Sequence, residues 1–349
     1  MRSEPNYNTI PVGQLGIIAL PGCEELANKI DNYLIRWRFQ RNSEHKDTLA
    51  FAGYEKSTYL INMDFPRFGT GEGKAALNQT VRGYDIYILC DVFNYGVTYK
   101  MYGITVPMSP DEHFANLKRA ISAIEGKAKR VSVIMPMLYE GRQHKRSSRE
   151  SLDCAMMLQE LHNMGVENFI TFDAHDPRVM NAIPLCGFES ISPAYQMIKA
   201  AVNNVDNLKI NKDNIMIISP DEGGMSRCIY YSTVLGVELG MFYKRRDFSR
   251  IVDGRNPIIA HEFLGDNVEG KDVIIVDDMI SSGESMIEVA TKLKELKAAR
   301  IYIFSAFGLF CNGFDAFDKA FQEGIIDRVF TTNLIYGTPE LLSKDWYIR

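Results

Sequence analysis

A chain of 349 residues is long enough for two domains with separate cores, and 46% hydrophobic against 24% charged residues is the balance of an ordinary soluble globular protein. A formal net charge of −5 with no basic block argues against nucleic acid as a partner, and the apolar runs are strand-sized, too short for a membrane span. The six cysteines are scattered without a paired C-x-x-C spacing, and residues 1–13 lack the layout of a signal peptide, so free thiols in a reducing cytoplasm are expected.

In chain order, residues 16–20 read as a first strand and Pro21-Gly22 as its turn. The spacing of Leu26, Ile30, Leu34 and Ile35 predicts a helix over 24–37. Residues 38–48 are charged and read as an exposed loop or a fraying helix end. A second strand is expected at 58–63, leading into the glycine-rich loop 64–72, and a third at 85–90. Residues 93–110, rich in aromatics and glycine, read as an irregular excursion, followed by a helix over 111–125 and a strand over 130–138. Positive charge then concentrates in 139–149, directly after a strand end and ahead of a helix over 151–164. Such runs are usually solvated loops, yet α/β proteins bind ligands at this place, so a polyanion site competes with the solvated reading. The strand 169–174 ends in Asp173-Ala174-His175-Asp176, and a histidine flanked by two aspartates at a strand end is a candidate for metal or phosphate.

The second half repeats the strand–loop–helix pattern. A strand at 214–219 precedes the turn Pro220-Asp221-Glu222-Gly223-Gly224 and a helix carrying Arg227. The strand 240–243 runs into Lys244-Arg245-Arg246-Asp247, and 248–257 has no clear period and reads as a mobile loop. After 273–285 come a strand at 300–304, a helix at 315–323 and a last strand at 329–333. Alternating strands and helices predict an α/β protein with parallel sheets covered by helices on both faces.

The most informative stretch is 273–285. The apolar run from Val273 to Val276 ends in Asp277 and Asp278, followed by Met279, Ile280, Ser281, Ser282, Gly283, Glu284 and Ser285, and then a helical stretch over 286–296. A buried parallel strand opening into a tight loop at a helix start offers free N–H groups to an anion. Serine hydroxyls add donors, and glycine lets the backbone approach. The two carboxylates ahead of the cradle suit sugar hydroxyls or a hard cation. Aspartates and serines also occur at strand ends as plain turn and cap residues.

This stretch resembles the phosphoribosyl diphosphate motif of type I phosphoribosyltransferases, and the ordered set of motifs resembles the ribose-phosphate diphosphokinase (phosphoribosyl diphosphate synthetase) family. The set comprises Arg67-Phe68 with Gly71-Glu72, Val81-Arg82-Gly83, Arg142-Gln143, Arg149-Glu150, Asp173 with His175, Ser219-Pro220-Asp221 with Gly223-Gly224, Lys244-Arg245-Arg246, and Val276-Asp277-Asp278-Met279. The resemblance implies two tandem type I phosphoribosyltransferase-like domains, each a mainly parallel sheet flanked by helices, at 14–188 and 189–330. A C-terminal segment, 331–349, would pack back on the first domain. It further implies transfer of the β,γ-diphosphoryl group of ATP to the C1 hydroxyl of ribose 5-phosphate, with Mg²⁺, or Mn²⁺ in its place. On this reading Lys244 and Arg246 carry catalysis, and Phe68, Thr70, Glu72, Arg142, Gln143, Lys145 and His175 hold ATP. Asp277, Asp278, Ser281, Ser282, Gly283 and Ser285 hold ribose 5-phosphate, and His175 with Asp221 holds the metal. Dimers assembled into a homo-hexamer, with Phe68 and Glu72 reaching the adenine of a neighbouring subunit, are the implied assembly.

Several positions depart from the family pattern. Thr70 stands where an acid or amide is usual, His144-Lys145 replaces Asp-Arg, Ser281 replaces an aspartate, and Glu284 replaces a glycine. Residues 309–314 differ from the stretch that lines the family's allosteric phosphate site, and extra residues occur near 38–52 and 95–108. Altered or absent regulation by phosphate and ADP is therefore expected. A catalytically silent regulatory subunit and a phosphoribosyltransferase acting on a base are the competing readings. The retained Lys244, Arg246, His175, Asp221, Asp277 and Asp278 argue against the first, and the motifs of the N-terminal half argue against the second.

Overall fold

The computed structural model describes residues 12–44, 56–246 and 258–349, with the side chains at 41–44, 244–246 and 258–261 outside the description. The 248–257 loop read from sequence lies outside the described residues. The chain divides into two compact units: Met1–Ile191 with Leu334–Tyr336, and Ser192–Asn333 with Gly337–Arg349.

The first unit runs β1 (Gln14–Ala19), α1 (Glu24–Glu44), β2 (Met63–Asp64), β3 (Ala76–Leu77), β4 (Tyr84–Leu89), β5 (Thr98–Met101), β6 (Ile104–Pro107), α2 (Pro110–Ile124), β7 (Arg130–Ile134), α3 (Asp153–Asn163), β8 (Asn168–Phe172), a 3-10 helix (Pro177–Ala182) and β9 (Gly187–Ile191). Its five-stranded sheet has the order β1-β4-β7-β8-β9 and is parallel throughout. Ile18, Ile86, Ile88 and Val133 are fully enclosed, as continuous apolar runs in a helix-covered parallel sheet should be. α2 begins in a capping box, Ser109 and Glu112 each accepting from the other's backbone N–H, with Pro110 at its first turn.

Three expectations are corrected here. The excursion 93–110 contains the hairpin β5–β6, closed by Tyr102 (φ 47°) and Gly103 (φ 80°), the two positive φ values of a tight hairpin turn. The second strand shrinks to a bridge of Leu60 on Ile17 and the two-residue β2. β7 ends at Ile134 rather than 138, because Pro136 has no N–H to continue the ladder; its carbonyl instead accepts from Phe172 N–H at 2.9 Å.

The second unit runs α4 (Ala194–Asn204), β10 (Ile215–Ser219), α5 (Met225–Leu235), β11 (Glu238–Arg246), β12 (Ile258–Leu264), β13 (Asp272–Ile280), α6 (Glu284–Glu295), β14 (Ile301–Gly308), α7 (Asp315–Gln322), β15 (Arg328–Thr331), α8 (Pro339–Leu342) and β16 (Tyr347–Ile348). Its seven strands lie in the order β12-β11-β10-β13-β14-β15-β16, parallel except for the antiparallel edge strand β12. Alternate residues of the central strands enter opposite cores: Met216, Ile218, Val273 and Ile275 on one face, Ile215, Ile217, Ile274 and Val276 on the other. Helices on both faces thus bury the strands completely.

The two sheets use one device at the amino ends of their strands. Arg130 donates two hydrogen bonds to Asp85 at 2.8 and 2.5 Å, and Arg300 donates two to Asp272 at 2.9 and 2.6 Å. In each case the pair ties neighbouring parallel strands. Among the described residues no helix is long and apolar enough to cross a membrane, and no disulfide forms among the cysteines.

Candidate functional site

β13 runs on through Asp277 and Asp278 to Ile280, so the two carboxylates sit on the strand itself rather than in the loop after it. Asp277 pairs in register with Ser305 of β14. Asp278 is buried at 3% exposure, and its N–H donates to Asp277 Oδ1 at 2.9 Å. Burial and the neighbouring Asp278 carboxyl push Asp277 well above the usual carboxylate range, although 25% of the Asp277 side chain is open to solvent. Arg227, reaching from α5 with Nη1 3.8 Å from Asp277 Oδ1, works in the opposite direction.

The loop after β13 is shaped by Gly283. Its φ of +83° lies in the region that side chains disfavour, and a Cβ there would overlap the Phe317 ring, coming within 2.5 Å of Cζ. Backbone bonds hold the turn: Leu309 and Phe310 N–H donate to Ile280 O at 2.9 and 3.1 Å, and Cys311 N–H to Ser281 O at 2.8 Å. Among the described residues no side chain caps α6, which leaves its first-turn N–H groups to an anion at the positive end of the helix. Ser281 and Ser282 are half-buried, Ser285 is exposed, and Glu284 is exposed on the first turn of α6, where the dipole tolerates it.

Asp221 stands at the end of β10 and spends Oδ1 on its own turn, accepting from Gly223 N–H at 2.9 Å and Gly224 N–H at 3.2 Å. Lys244, Arg245 and Arg246 close β11 as strand residues, paired with His261, Ala260 and Ile258 of β12, with a bulge between Arg245 and Arg246. The predicted cations therefore sit at a paired strand end rather than in a charged loop.

In the first unit, residues 67–73 form a tight hairpin-like turn. Arg67 bridges to Gly73, and Phe68 N–H donates to Glu72 O at 2.8 Å. Arg67 lies inside as a strut: it donates to Gly71 O at 2.9 Å, faces Glu112 at 3.7 Å and stacks over Tyr99. Phe68 is left 54% exposed, with Thr70 donating to Glu72 Oε2 at 2.9 Å. Arg142, Gln143 and Lys145 are exposed in a turn in which Gln143 N–H donates to Glu140 O. The Asp173 turn at the end of β8 holds φ +40°, the left-handed region that aspartate enters more readily than most side chains. His175 beside it is exposed, and the His144 ring lies 5.2 Å from its own. His144 Nε2 lies 3.6 Å from Asp176, a carboxylate held at about 2 by Arg178 against burial. The ATP candidates and His175 thus share the first unit; Asp221, Lys244, Arg246 and the sugar-phosphate candidates share the second. Among the described residues no three His, Cys, Asp or Glu side chains gather as a metal cage. Sequence reasoning gave Arg227 no site role, since only the packing of α5 on β13 brings it to a residue fifty positions on.

Residues 188–308 match the phosphoribosyl transferase domain model, and residues 15–165 match the model described as the N-terminal domain of ribose phosphate pyrophosphokinase. The class is therefore a protein of two phosphoribosyltransferase-type domains in tandem. Relatives named ribose-phosphate pyrophosphokinase include one from Vibrio parahaemolyticus, 27% identical over 280 residues and 79% of each chain. Another, from Ralstonia nicotianae, is 27% identical over 274 residues, covering 77% of this chain and 76% of the relative. In fold, the phosphoribosylpyrophosphate synthetase of Mycobacterium smegmatis matches with a TM-score of 0.70 at 17% identity, over 96% of this chain and 93% of that one. The chain belongs to the ribose-phosphate pyrophosphokinase family of enzymes.

Proposed function

We propose that the protein transfers the β,γ-diphosphoryl group of ATP to the C1 hydroxyl of ribose 5-phosphate, giving 5-phosphoribosyl 1-diphosphate and AMP. The observation that carries this reading is the uncapped α6 start behind Gly283, with Asp277 and Asp278 on the strand leading into it. The first-turn N–H groups and the Ser281, Ser282 and Ser285 hydroxyls hold the 5-phosphate. The adjoining carboxylates accept the ribose hydroxyls, so phosphate and sugar are recognised by opposite chemistry at one strand end.

The C1 oxygen attacks the β-phosphorus in line, the bond from that phosphorus to the α–β bridging oxygen breaks, AMP leaves, and the hydroxyl proton is released. Lys244 supplies a point charge and Arg246 a fork to the transferring group. Phe68 stacks on adenine and Glu72 accepts its amino group, from a neighbouring subunit of a homo-oligomer. Arg142, Gln143 and Lys145 hold the triphosphate. Asp221, with one oxygen spent on its turn and the other left, and separately the exposed His175, are the residues that would hold Mg²⁺ or Mn²⁺. An ion carried on substrate phosphates needs only one or two protein ligands. When bound it neutralises charge on the phosphoryl oxygens. A cytoplasmic setting suits the free thiols.

The test is a phosphorus NMR time course with ATP, Mg²⁺ and ribose 5-phosphate, and Lys244→Ala as control. AMP and a sugar C1-diphosphate signal should grow together and vanish in the variant. A flat spectrum, repeated with GTP, CTP and Mn²⁺, would refute the activity for this chain alone and favour a silent regulatory subunit.

A further inference from the structure

We propose that Arg227 is a positioning residue for ribose 5-phosphate: from α5 it anchors Asp277 by charge and so fixes the acceptor on which the ribose hydroxyls dock. The inference rests on the sugar-site reading above and adds a residue to it.

The placement of Arg227 follows from the turn ahead of it. Gly224 lies so close to the sheet that a Cβ would meet Ser219 Oγ at 3.0 Å and Val276 O at 3.6 Å. That close approach seats the first turn of α5 against the ends of β10 and β13, and Arg227 is the third residue of α5. Its side chain is only 12% exposed, and Nη1 lies 3.8 Å from Asp277 Oδ1. At that distance the contact is an ion pair, not a close hydrogen bond, so its effect is carried by charge.

Asp277 needs such a partner. Asp278 stands beside it on β13, and a second carboxylate at this range disfavours ionisation of the first. From α5, Cys228 also faces it, but burial pushes that thiol up to about 12, and it points at Val276 O and Ile218 O. On β14 the facing residue is Ser305, which is uncharged. Asp221, in the turn ahead of α5, has its Oδ1 bound by Gly223 and Gly224 N–H. Among the described side chains, Arg227 is the cation set against this acidic surround. An ionised carboxylate accepts hydroxyl hydrogen bonds at both oxygens, whereas a protonated one turns one oxygen into a donor and loses the charge that strengthens the rest. Removing Arg227 should therefore raise the pH needed for sugar binding, without touching the phosphate cradle.

The experiment is calorimetric titration of the full chain with ribose 5-phosphate across the acid-to-neutral range. It compares the wild type with Arg227→Met, Arg227→Gln, Arg227→Lys and Asp277→Asn. The sugar phosphate titrates identically in every case, so only displacement between variants is read. In Arg227→Met and Arg227→Gln the acid limb of Kd should move up by about one pH unit, a tenfold loss at a fixed pH on that limb, with recovery at higher pH. Arg227→Lys should restore most of the displacement. Loss by the same factor at every pH, or no loss, would overturn the inference. An unchanged Kd in Asp277→Asn would instead sink the sugar-site reading itself.

Discussion

Gly283→Ala isolates the geometry of the phosphate loop in one methyl group. Two penalties act together. The backbone stands at φ +83°, where a Cβ costs about 1–2 kcal/mol, and the methyl meets the Phe317 ring, an overpacking of about 1–3 kcal/mol. Phe317 cannot yield easily: it is fully buried and stacks on Trp346, ring centroids 5.3 Å apart, while the Trp346 indole N–H donates to Asp318 at 2.7 Å. The expected loss is therefore about 2–5 kcal/mol, read as a shift of the denaturation midpoint. Trp346 is itself the probe, once the half-exposed Trp37 is replaced by Phe. Repeating the substitution in a Phe317→Leu background should remove the overlap and leave the backbone penalty, about 1–2 kcal/mol. An equal cost in both backgrounds would refute the steric half. A neutral Gly283→Ala would refute the whole argument, including the claim that the loop's shape depends on this glycine.

Asp85→Asn and Asp272→Asn each break a two-bonded pair with an arginine and should cost about 2 kcal/mol in thermal or denaturant unfolding. Both pairs lie at the amino ends of the strands, so the affinity for ribose 5-phosphate should not change. Asp176 is held at about 2, below its ordinary value, so its stabilising contact is present above the usual carboxylate range and is lost as pH falls toward 2. Proton NMR of the His144 and His175 rings should show that turn intact at mildly acid pH, and Asp176→Asn should loosen it at all pH values. Thr70→Ala frees Glu72 from its hydroxyl donor. A higher KM for ATP and weaker discrimination against GTP are expected, measured by initial rates with each nucleotide.

The central strands were legible because burial on both faces demands apolar runs, and the runs 85–90, 214–219 and 273–276 supply them. Strands set by backbone pairing were not. β11 extends through Lys244-Arg245-Arg246 because β12 pairs with it, and nothing in a charged triplet announces a partner strand. The β5–β6 hairpin did carry a signal, but its turn uses Tyr102 before Gly103, where asparagine or aspartate is usual. At the candidate site, local sequence anticipated the glycine turn and the helix start after β13, but not that the strand itself runs on through Asp277 and Asp278. It could not separate a ligand from a cap at Asp221, whose oxygen serves its own turn. Nor could it bring Arg227 to Asp277, a neighbourhood that only the folded sheet creates.

The two ends of the strands divide the work of each sheet. At the amino ends, Arg130 with Asp85 and Arg300 with Asp272 repeat one solution in both sheets, tying neighbouring strands irrespective of any ligand. At the carboxyl ends the two sheets part company. β13 leads into a glycine turn and an open helix start; β7 and β8 lead into exposed cations and the left-handed Asp173 turn. In open α/β sheets ligands gather at the carboxyl ends, so changes there alter chemistry without touching the ties at the other end. Of the departures from the family pattern, His144 and Lys145 follow β7 and Ser281 and Glu284 follow β13, while Thr70 lies in the separate 67–73 turn. They are therefore the positions at which altered nucleotide preference or regulation should be sought, not in the sheets.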